Sequence, residues 1–462
     1  MLTSAHRVVL RLEIDNRPGM FAEVARVIGE QGGSLGVIDL VEATPKVHVR
    51  DVSVDMPDEA SAARLADALH RVDGVAVRDM ADAAFRLHEG GKVEVRGRIS
   101  VRTKEDLSLV YTPAVARVSS AIAQDPSKAW TLTMRANAVA IVSNGSAVLG
   151  LGDIGPLGAL PVMEGKALLF RELAGISAFP LVIDARTPDA VIDTVVRIAP
   201  TFGGINLEDI AAPACFEIER ELRRRLDIPV FHDDQHGTAI VVLAGLRNAA
   251  AVVRLAFADM RVVILGAGAA GIATARLLQR AGVAHVTVCD RRGIVGPGRS
   301  DLTPEKKALV AELGTARDGS LAGALAGAHV FIGVSGPNLL SVDALRTMGR
   351  PRIVFALANP VPEIDPFVAG PEADIVATGR SDHPNQVNNV LAFPGVFRGL
   401  LDSGARAVTD DMELAAADAL AAVVAPELRS AEYILPSAFD PKVVPAVAKA
   451  VGDAARASGM TR

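Results

Sequence analysis

Glu208/Asp209 and Asp233/Asp234 are two acidic pairs, each following a short apolar run. Those runs, Ile228 to Phe231 for the second, read as strands, and α/β sheets gather their chemistry where strands end. Between the pairs, Phe216, Glu219, Arg220, Arg223 and Leu226 recur at a spacing of about 3.6, which predicts a helix. Carboxylates drawn together repel one another unless a cation lies among them. Oxygen ligands of this kind suit a hard divalent ion, Mg²⁺ or Mn²⁺. A helix-capping role is the alternative: Asp234 precedes a helix expected to start near Thr238, where the macrodipole favours negative charge. His232 and His236 stand one helical turn apart, a zinc spacing. The expected strand through Phe231 breaks that turn and leaves zinc as the runner-up.

Two further residues carry proton chemistry. Lys166 opens the apolar run Lys166 to Phe170 and is its only charge. Burial is expected to lower its pKa, and a lysine so shifted can act as a base near neutral pH; a lysine snorkelling to the surface is the competing reading. Thr112 followed by Pro113 reads as a helix start, N-cap then first turn. Tyr111 would then lie just outside a helix N-terminus, available either as an acid or as a packing residue with a satisfied hydroxyl.

Val262 to Leu265 form a buried strand, followed by Gly266-Ala267-Gly268-Ala269-Ala270-Gly271 and an Ala-rich helix to Arg280. A second strand, Val286 to Val288, ends at Asp290. Strand, glycines, helix, strand and acid together form a dinucleotide fingerprint. Gly266, Gly268 and Gly271 let backbone amides approach a pyrophosphate, and Asp290 can take the adenosine ribose hydroxyls. Asp290 favours NAD, whereas Arg291 and Arg292 could hold the 2′-phosphate of NADP. Strand-like runs ending near Val334, Ala358 and Ala377 continue a doubly wound parallel sheet and present Asn359 at its carboxyl edge. Asn389 opens another helix, and the tail from Asp410 is helical.

The elements that position these residues divide the chain at 1–88, 95–238 and 239–462. In the first segment Val8, Leu10, Leu12 and Ile14 alternate with Arg7, Val9, Arg11 and Glu13, and Phe21, Val24, Ala25 and Ile28 share a helical face. Strands over Ser34 to Val41 and Lys46 to Val54, a helix through Leu65 and Leu69, and a strand from Val75 to Met80 complete a ferredoxin-like βαββαβ order. Glycine-rich polar residues from Gly90 to Arg102 form a linker. Ala138 to Val142 and Ala147 to Leu151 flank Asn144-Gly145 and predict a hairpin.

Aromatic residues make up 4% of the 462-residue chain and its net charge is −6, so the basic and aromatic surface that nucleic acid requires is absent. Cys215 and Cys289 are the only cysteines, too few for a disulfide framework, which points to a cytoplasmic setting. The uncharged run Ala136 to Gly152 is interrupted by polar residues and predicts no membrane span.

Asp15-Asn16-Arg17-Pro18-Gly19-Met20, followed after a helix by Gly32-Gly33-Ser34, resembles the ACT domain, a small regulatory module of amino-acid metabolism. The resemblance implies an amino-acid or similar effector at Asp15 to Met20, held where two copies pair; simple dimerisation is the alternative. From about residue 95 onward, Tyr111-Thr112-Pro113, Glu164-Gly165-Lys166, Leu207-Glu208-Asp209, Phe231 to Thr238, Gly266-Ala267-Gly268, Ala358-Asn359-Pro360 and Asn388-Asn389-Val390 together resemble a malic enzyme of the bacterial type. That resemblance implies oxidative decarboxylation of L-malate to pyruvate and CO₂ by a homo-oligomer with NAD or NADP and Mg²⁺ or Mn²⁺. It assigns Glu208, Asp209 and Asp234 to the metal, Lys166 to the base, Asp233 beside it, and Tyr111 to the acid. It assigns Asn359 and Asn389 to substrate and nicotinamide. Ala114 departs from the family's usual glycine. Ala147 stands where animal members carry an arginine for the substrate carboxylate, which leaves that contact open. An ACT-linked dehydrogenase of amino-acid biosynthesis and a non-catalytic metabolite-binding protein are the competing functions.

Overall fold

The structure, a computed structural model, describes residues 6–462, in two compact units that divide between Glu94 and Val95. In the first unit β1 (Arg7–Asp15) buries every second residue, so Val8, Leu10, Leu12 and Ile14 all face the core. This is the period of a strand with one covered face. Next come α1 (Met20–Glu30), β2 (Ser34–Ala43), β3 (Val47–Asp55), α2 (Glu59–Leu69), β4 (Val75–Asp82) and the short α3 (Ala83–His88). Val24, Val27 and Ile28 of α1, with Leu65 and Leu69 of α2, close over an antiparallel sheet of order β2-β3-β1-β4. The edge strand β2 is exposed along its whole length, Val37 and Leu40 included.

The second unit begins with α4 (Lys104–Val110), α5 (Val115–Gln124) and α6 (Ala129–Leu132), none of which buries a residue. A parallel sheet then forms from β5 (Ala138–Ser143), β6 (Ser177–Val182), β7 (Gly204–Leu207) and β8 (Val230–His232), in the order β6-β5-β7-β8. Its connections are α7 (Gly155–Ala174), α8 (Pro188–Ile198) and α9 (Ala214–Arg225). After β8 the chain turns directly into α10 (Asp233–Val253). By length and composition α10 could cross a membrane, yet 67% of its apolar window is buried inside this protein. It is a core helix.

The second sheet contains β9 (Arg261–Leu265), β10 (His285–Asp290), β11 (Gly293–Ile294), β12 (Val330–Gly333), β13 (Ile353–Ala356) and β14 (Ile375–Thr378). Its order, β11-β10-β9-β12-β13-β14, runs outward in both directions from β9. That reversal is the doubly wound arrangement, with the crevice for a ligand at its switch point. Helix α11 (Ala269–Arg280) follows β9, and α12 (Pro304–Leu313), α13 (Leu321–Leu325), α14 (Val342–Arg346) and α15 (Pro366–Ala369) complete the connections. Helices α16 (Phe393–Ser403), α17 (Asp410–Val423) and α18 (Val443–Ala457) end the chain. One continuous hydrophobic core joins the two sheets, from Ile141 and Leu207 through Ile240, Leu243 and Leu246 of α10 to Ile264 and Ile332.

Three local expectations fail. The predicted hairpin does not form: β5 is buried along its length and pairs in parallel with β6 and β7. Asn144-Gly145 turns the chain instead into a loop. There the side chain of Asn144 donates to Ala185 O (3.1 Å), and Ser146 Oγ accepts from the amide of Ala211 (2.9 Å). Those side-chain bonds hold the turn where a second strand would have run. Thr112 is not an N-cap: Tyr111 closes α4, and α5 starts only at Val115, with Ala114 as its N-cap and the Val115 amide donating to Tyr111 O (2.8 Å). Helix α10 begins at Asp233 rather than near Thr238, so the second acidic pair lies in its first turn.

Candidate active site

Strands β7 and β8 are parallel neighbours, with Leu207 opposite His232. Each acidic pair follows its strand by one residue, so the shared register sets the two pairs side by side at the carboxyl edge. Glu208, Asp209 and Asp234 offer three carboxylate oxygens that all lie within 4.8 Å of one another. The amide of Asp209 donates to Asp234 Oδ2 (2.9 Å), and Asn206 Nδ2 to Glu208 Oε2 (2.9 Å). Asp209 itself adopts φ 52°, a left-handed conformation uncommon outside glycine and asparagine and typical of strained functional positions.

Burial raises the pKa of all three acids above the carboxylate range, and their mutual repulsion raises Glu208 and Asp209 further. Asp234 reaches about 6. Asp209 Oδ2 is buried without a hydrogen-bond partner. Close-set, desolvated carboxylates with an unpartnered oxygen are what a hard divalent cation requires, so these residues fit Mg²⁺ or Mn²⁺. The histidines do not fit zinc. His236 has both ring nitrogens engaged, by Glu219 and Glu413, so the two histidines do not serve as a pair of ligands.

Lys166 projects from the middle of α7 and is 7% exposed, so it does not snorkel. Its ammonium pairs with Asp233 and with Glu208 Oε2 (2.5 Å) and lies 4.4 Å from the centre of the Phe393 ring. The expected downward pKa shift is reversed. Burial does pull the lysine down, but the charges of Asp233 and Glu208 outweigh it and hold the ammonium above its ordinary value. Asp233 has no exposed surface; burial pushes it up to about 7 against the pull of Lys166. Asn389, in the 3₁₀ turn Asn389–Leu391 before α16, donates to Asp233 Oδ2 (2.6 Å). Asn389 is thereby joined to the lysine-carboxylate group. Tyr111 is not: it is 63% exposed, and its hydroxyl hydrogen-bonds to none of the described residues.

The nucleotide fingerprint lies at the switch point of the second sheet. Gly266 takes φ 126° and its amide donates to Cys289 O (2.8 Å), which locks the loop to β10. A side chain at Gly271 would collide with the carbonyl of Gly266. Gly268, the N-cap of α11, supplies no side chain to the first-turn amides, which leaves them for a pyrophosphate. Asp290 ends β10, but its carboxylate is already engaged: Arg299 pairs with it in bidentate fashion (2.6 and 3.0 Å), and Lys306 Nζ lies 2.7 Å away. Despite partial burial, these cations hold its pKa well below the usual range. Asn359 follows the end of β13, as expected for the carboxyl edge. Sequence reasoning missed Arg299 and Lys306, which reach Asp290 from 9 and 16 residues further on, and Glu413, which meets His236 from α17. It noted Glu219 only as a position on a helical face.

Residues 91–223 match the malic enzyme N-terminal domain family and residues 235–456 the malic enzyme NAD binding domain family. An NAD-dependent malic enzyme of Geobacillus stearothermophilus is 49% identical over 99% of this chain and 96% of its own length, a match that takes in the N-terminal unit. Among solved structures, a malic enzyme from Pyrococcus horikoshii is 49% identical with a TM-score of 0.77, covering 80% of this chain and 88% of that one. An NAD-dependent malic enzyme from Thermotoga maritima is 46% identical, also with a TM-score of 0.77, covering 80% of this chain and 98% of that one. Neither the amino-acid-biosynthesis dehydrogenase nor the non-catalytic reading finds support in these matches. The acidic pairs in register, the buried lysine and the glycine loop at the switch point agree with them, and the chain belongs to the malic enzyme family.

Proposed function

We propose that the protein oxidatively decarboxylates L-malate to pyruvate and CO₂. The observation that carries this reading is the buried Lys166 shared by Asp233 and Glu208 at the edge of a three-carboxylate cluster. Lys166 takes the C2 hydroxyl proton as hydride leaves C2, which yields oxaloacetate. The C3–C4 bond then breaks to release CO₂, and the enolpyruvate is protonated at C3, a step for which Tyr111 is the acid. When bound, a divalent ion at Glu208, Asp209 and Asp234 supplies Lewis acidity and draws negative charge away from Lys166, and NAD(P) accepts the hydride. Asp233 orients the lysine and is itself held by Asn389. Asn359 contributes to the substrate and nicotinamide pocket. The decisive assay is malate turnover with and without Mn²⁺; turnover that is indifferent to the ion overturns this reading.

NAD is the preferred coenzyme. A carboxylate at the end of β10 opposes a 2′-phosphate, although Arg299 and Lys306 offset much of that charge. The expected result is a higher kcat/KM with NAD; a value several-fold higher with NADP overturns the preference.

Residues 1–88 serve as an ACT-like regulatory unit that binds an amino acid or similar metabolite at Asp15 to Met20. Gly19 takes φ 89° there, and Arg17 bridges Asp15 and Asp73, which shapes a polar turn. The exposed apolar edge strand β2 suits pairing with a second copy, consistent with a homodimer or larger homo-oligomer. Effector coupling of this kind amounts to roughly 5- to 150-fold in affinity. A thermal-shift screen of amino acids on the full chain and on a chain starting at Val95 is expected to yield a hit that needs the first unit and alters turnover. If none appears, dimerisation is the better account.

A further inference from the structure

The first turn of α10 has to be held with some accuracy, because Asp233 and Asp234 leave it in different directions. Asp233 meets Lys166 and Asn389, while Asp234 accepts from the amide of Asp209. Nothing within the helix start holds it: the N-cap, His232, makes no capping hydrogen bond through its side chain. The backbone amide of His232 and the side chains of Gln235 and His236 are left for a partner outside α10.

The partner comes from another helix. Glu219 of α9 is 6% exposed, and its carboxylate accepts from the backbone amide of His232 (3.2 Å), from Gln235 Nε2 (3.1 Å) and from His236 Nε2 (3.0 Å). Arg223, one turn along α9, lies 2.8 Å from the same carboxylate and donates from Nε to Val230 O of β8 (3.1 Å). On its far side the His236 ring meets Glu413 of α17 through Nδ1 (2.8 Å). One buried carboxylate thus grips the residues immediately before and after Asp233/Asp234 and ties α9, β8, α10 and α17 into a single support.

We infer that Glu219 is a positioning residue for the divalent-ion site: it fixes the first turn of α10 so that Asp234 converges with Glu208 and Asp209 while Asp233 faces Lys166. The inference rests on the metal reading proposed above. Carboxylates and amides that orient ligands in this way typically account for about 10- to 100-fold in metal affinity.

The test is Mn²⁺ binding to the full chain without malate or coenzyme, followed by the electron-paramagnetic signal of the free ion. Glu219→Ala is expected to weaken Mn²⁺ binding by about 10- to 100-fold while NAD binding, measured by calorimetry, stays within about threefold. Glu219→Gln keeps the shape and one acceptor, so it is expected to recover part of the affinity. A folded Glu219→Ala protein that binds Mn²⁺ within twofold of the parent overturns the inference. If the alanine variant does not fold, the glutamine variant decides: Mn²⁺ binding weakened by at least about threefold supports the inference, and anything closer to the parent overturns it. Asp234→Ala in the same titration separates the two levels. Unchanged Mn²⁺ affinity in that variant refutes the metal reading itself, whereas a loss there with none in the Glu219 variants refutes only the positioning role.

Discussion

Asp234→Ala is expected to lower malate turnover by about three orders of magnitude while leaving NAD binding unchanged. Removing one of three convergent carboxylates takes away a principal ligand from an ion whose stabilisation of developing charge is worth several kcal/mol, and about 4 kcal/mol corresponds to roughly 10³ in rate. Fold loss is not the expected route. Asp234 is partly exposed, and its carboxylate accepts from the amide of Asp209. Removing a carboxylate whose pKa is already raised to about 6 by burial also relieves repulsion among the acids. The variant is therefore expected to melt at or above the parent's temperature when no divalent ion is present. Full Mn²⁺-dependent activity in Asp234→Ala refutes the metal assignment.

Lys166→Ala is expected to lose about 10²- to 10⁴-fold in kcat, the usual contribution of a general base. Its second consequence is structural. Without the ammonium, Asp233 and Glu208 are buried carboxylates with no cation between them, a situation that costs roughly 3–5 kcal/mol when one partner of a buried pair is removed. The penalty depends on pH in a definite direction. Asp233 already titrates near 7 because burial raises it, and losing Lys166 raises it further. A group whose folded pKa exceeds its unfolded value favours the folded state at low pH, and that advantage is lost as pH rises. The variant should thus approach the parent's stability below about pH 7, where Asp233 is protonated in both, and fall behind as pH rises above it, as thermal melts on either side of that pH will show. Tyr111→Phe, by contrast, should cost at least about tenfold in turnover with no change in melting temperature, because an exposed hydroxyl supports no packing. Primary deuterium isotope effects separate the two variants: the lysine change slows hydride transfer, the tyrosine change the step after decarboxylation.

The elements that carry strong periodicity were legible from the residues alone. The alternating strand at Val8 to Ile14, the helical face through Phe216 and Glu219, and the strand-glycine-helix at Val262 to Arg280 all depend on local pattern, and each forms where its pattern predicts. The acidic cluster was legible because its members directly follow adjacent strands. Failures came where a long-range partner overrode a local signal. Asn144-Gly145 has the chemistry of a hairpin turn, but bonds with the chain near Ala185 and Ala211 decide its path. Lys166 looked like a desolvated base because Glu208 and Asp233 lie 42 and 67 residues away in sequence, and only the fold brings them to its ammonium. Asp290 looked free to meet a ribose for the same reason: Arg299 and Lys306 reach it from the loop and helix that follow.

The course of α10 has a practical consequence for exchanging coenzyme preference between relatives. The helix starts at the acids, packs against α11 and α17, and ends only at Val253, with Arg254 in the left-handed conformation that stops it. A chimera joined at residue 238, where the sequence suggests a boundary, would splice two helices of different origin one turn beyond Asp234. It would also set a foreign core helix against the native β8. A junction between Arg254 and Met260, before β9 begins, leaves the whole helix with the acids it carries. The graft then brings the glycine loop and the Asp290 cluster together with Asn389, Phe393 and Glu413, so those contacts to Asp233, Lys166 and His236 are the ones an exchange of coenzyme preference has to preserve.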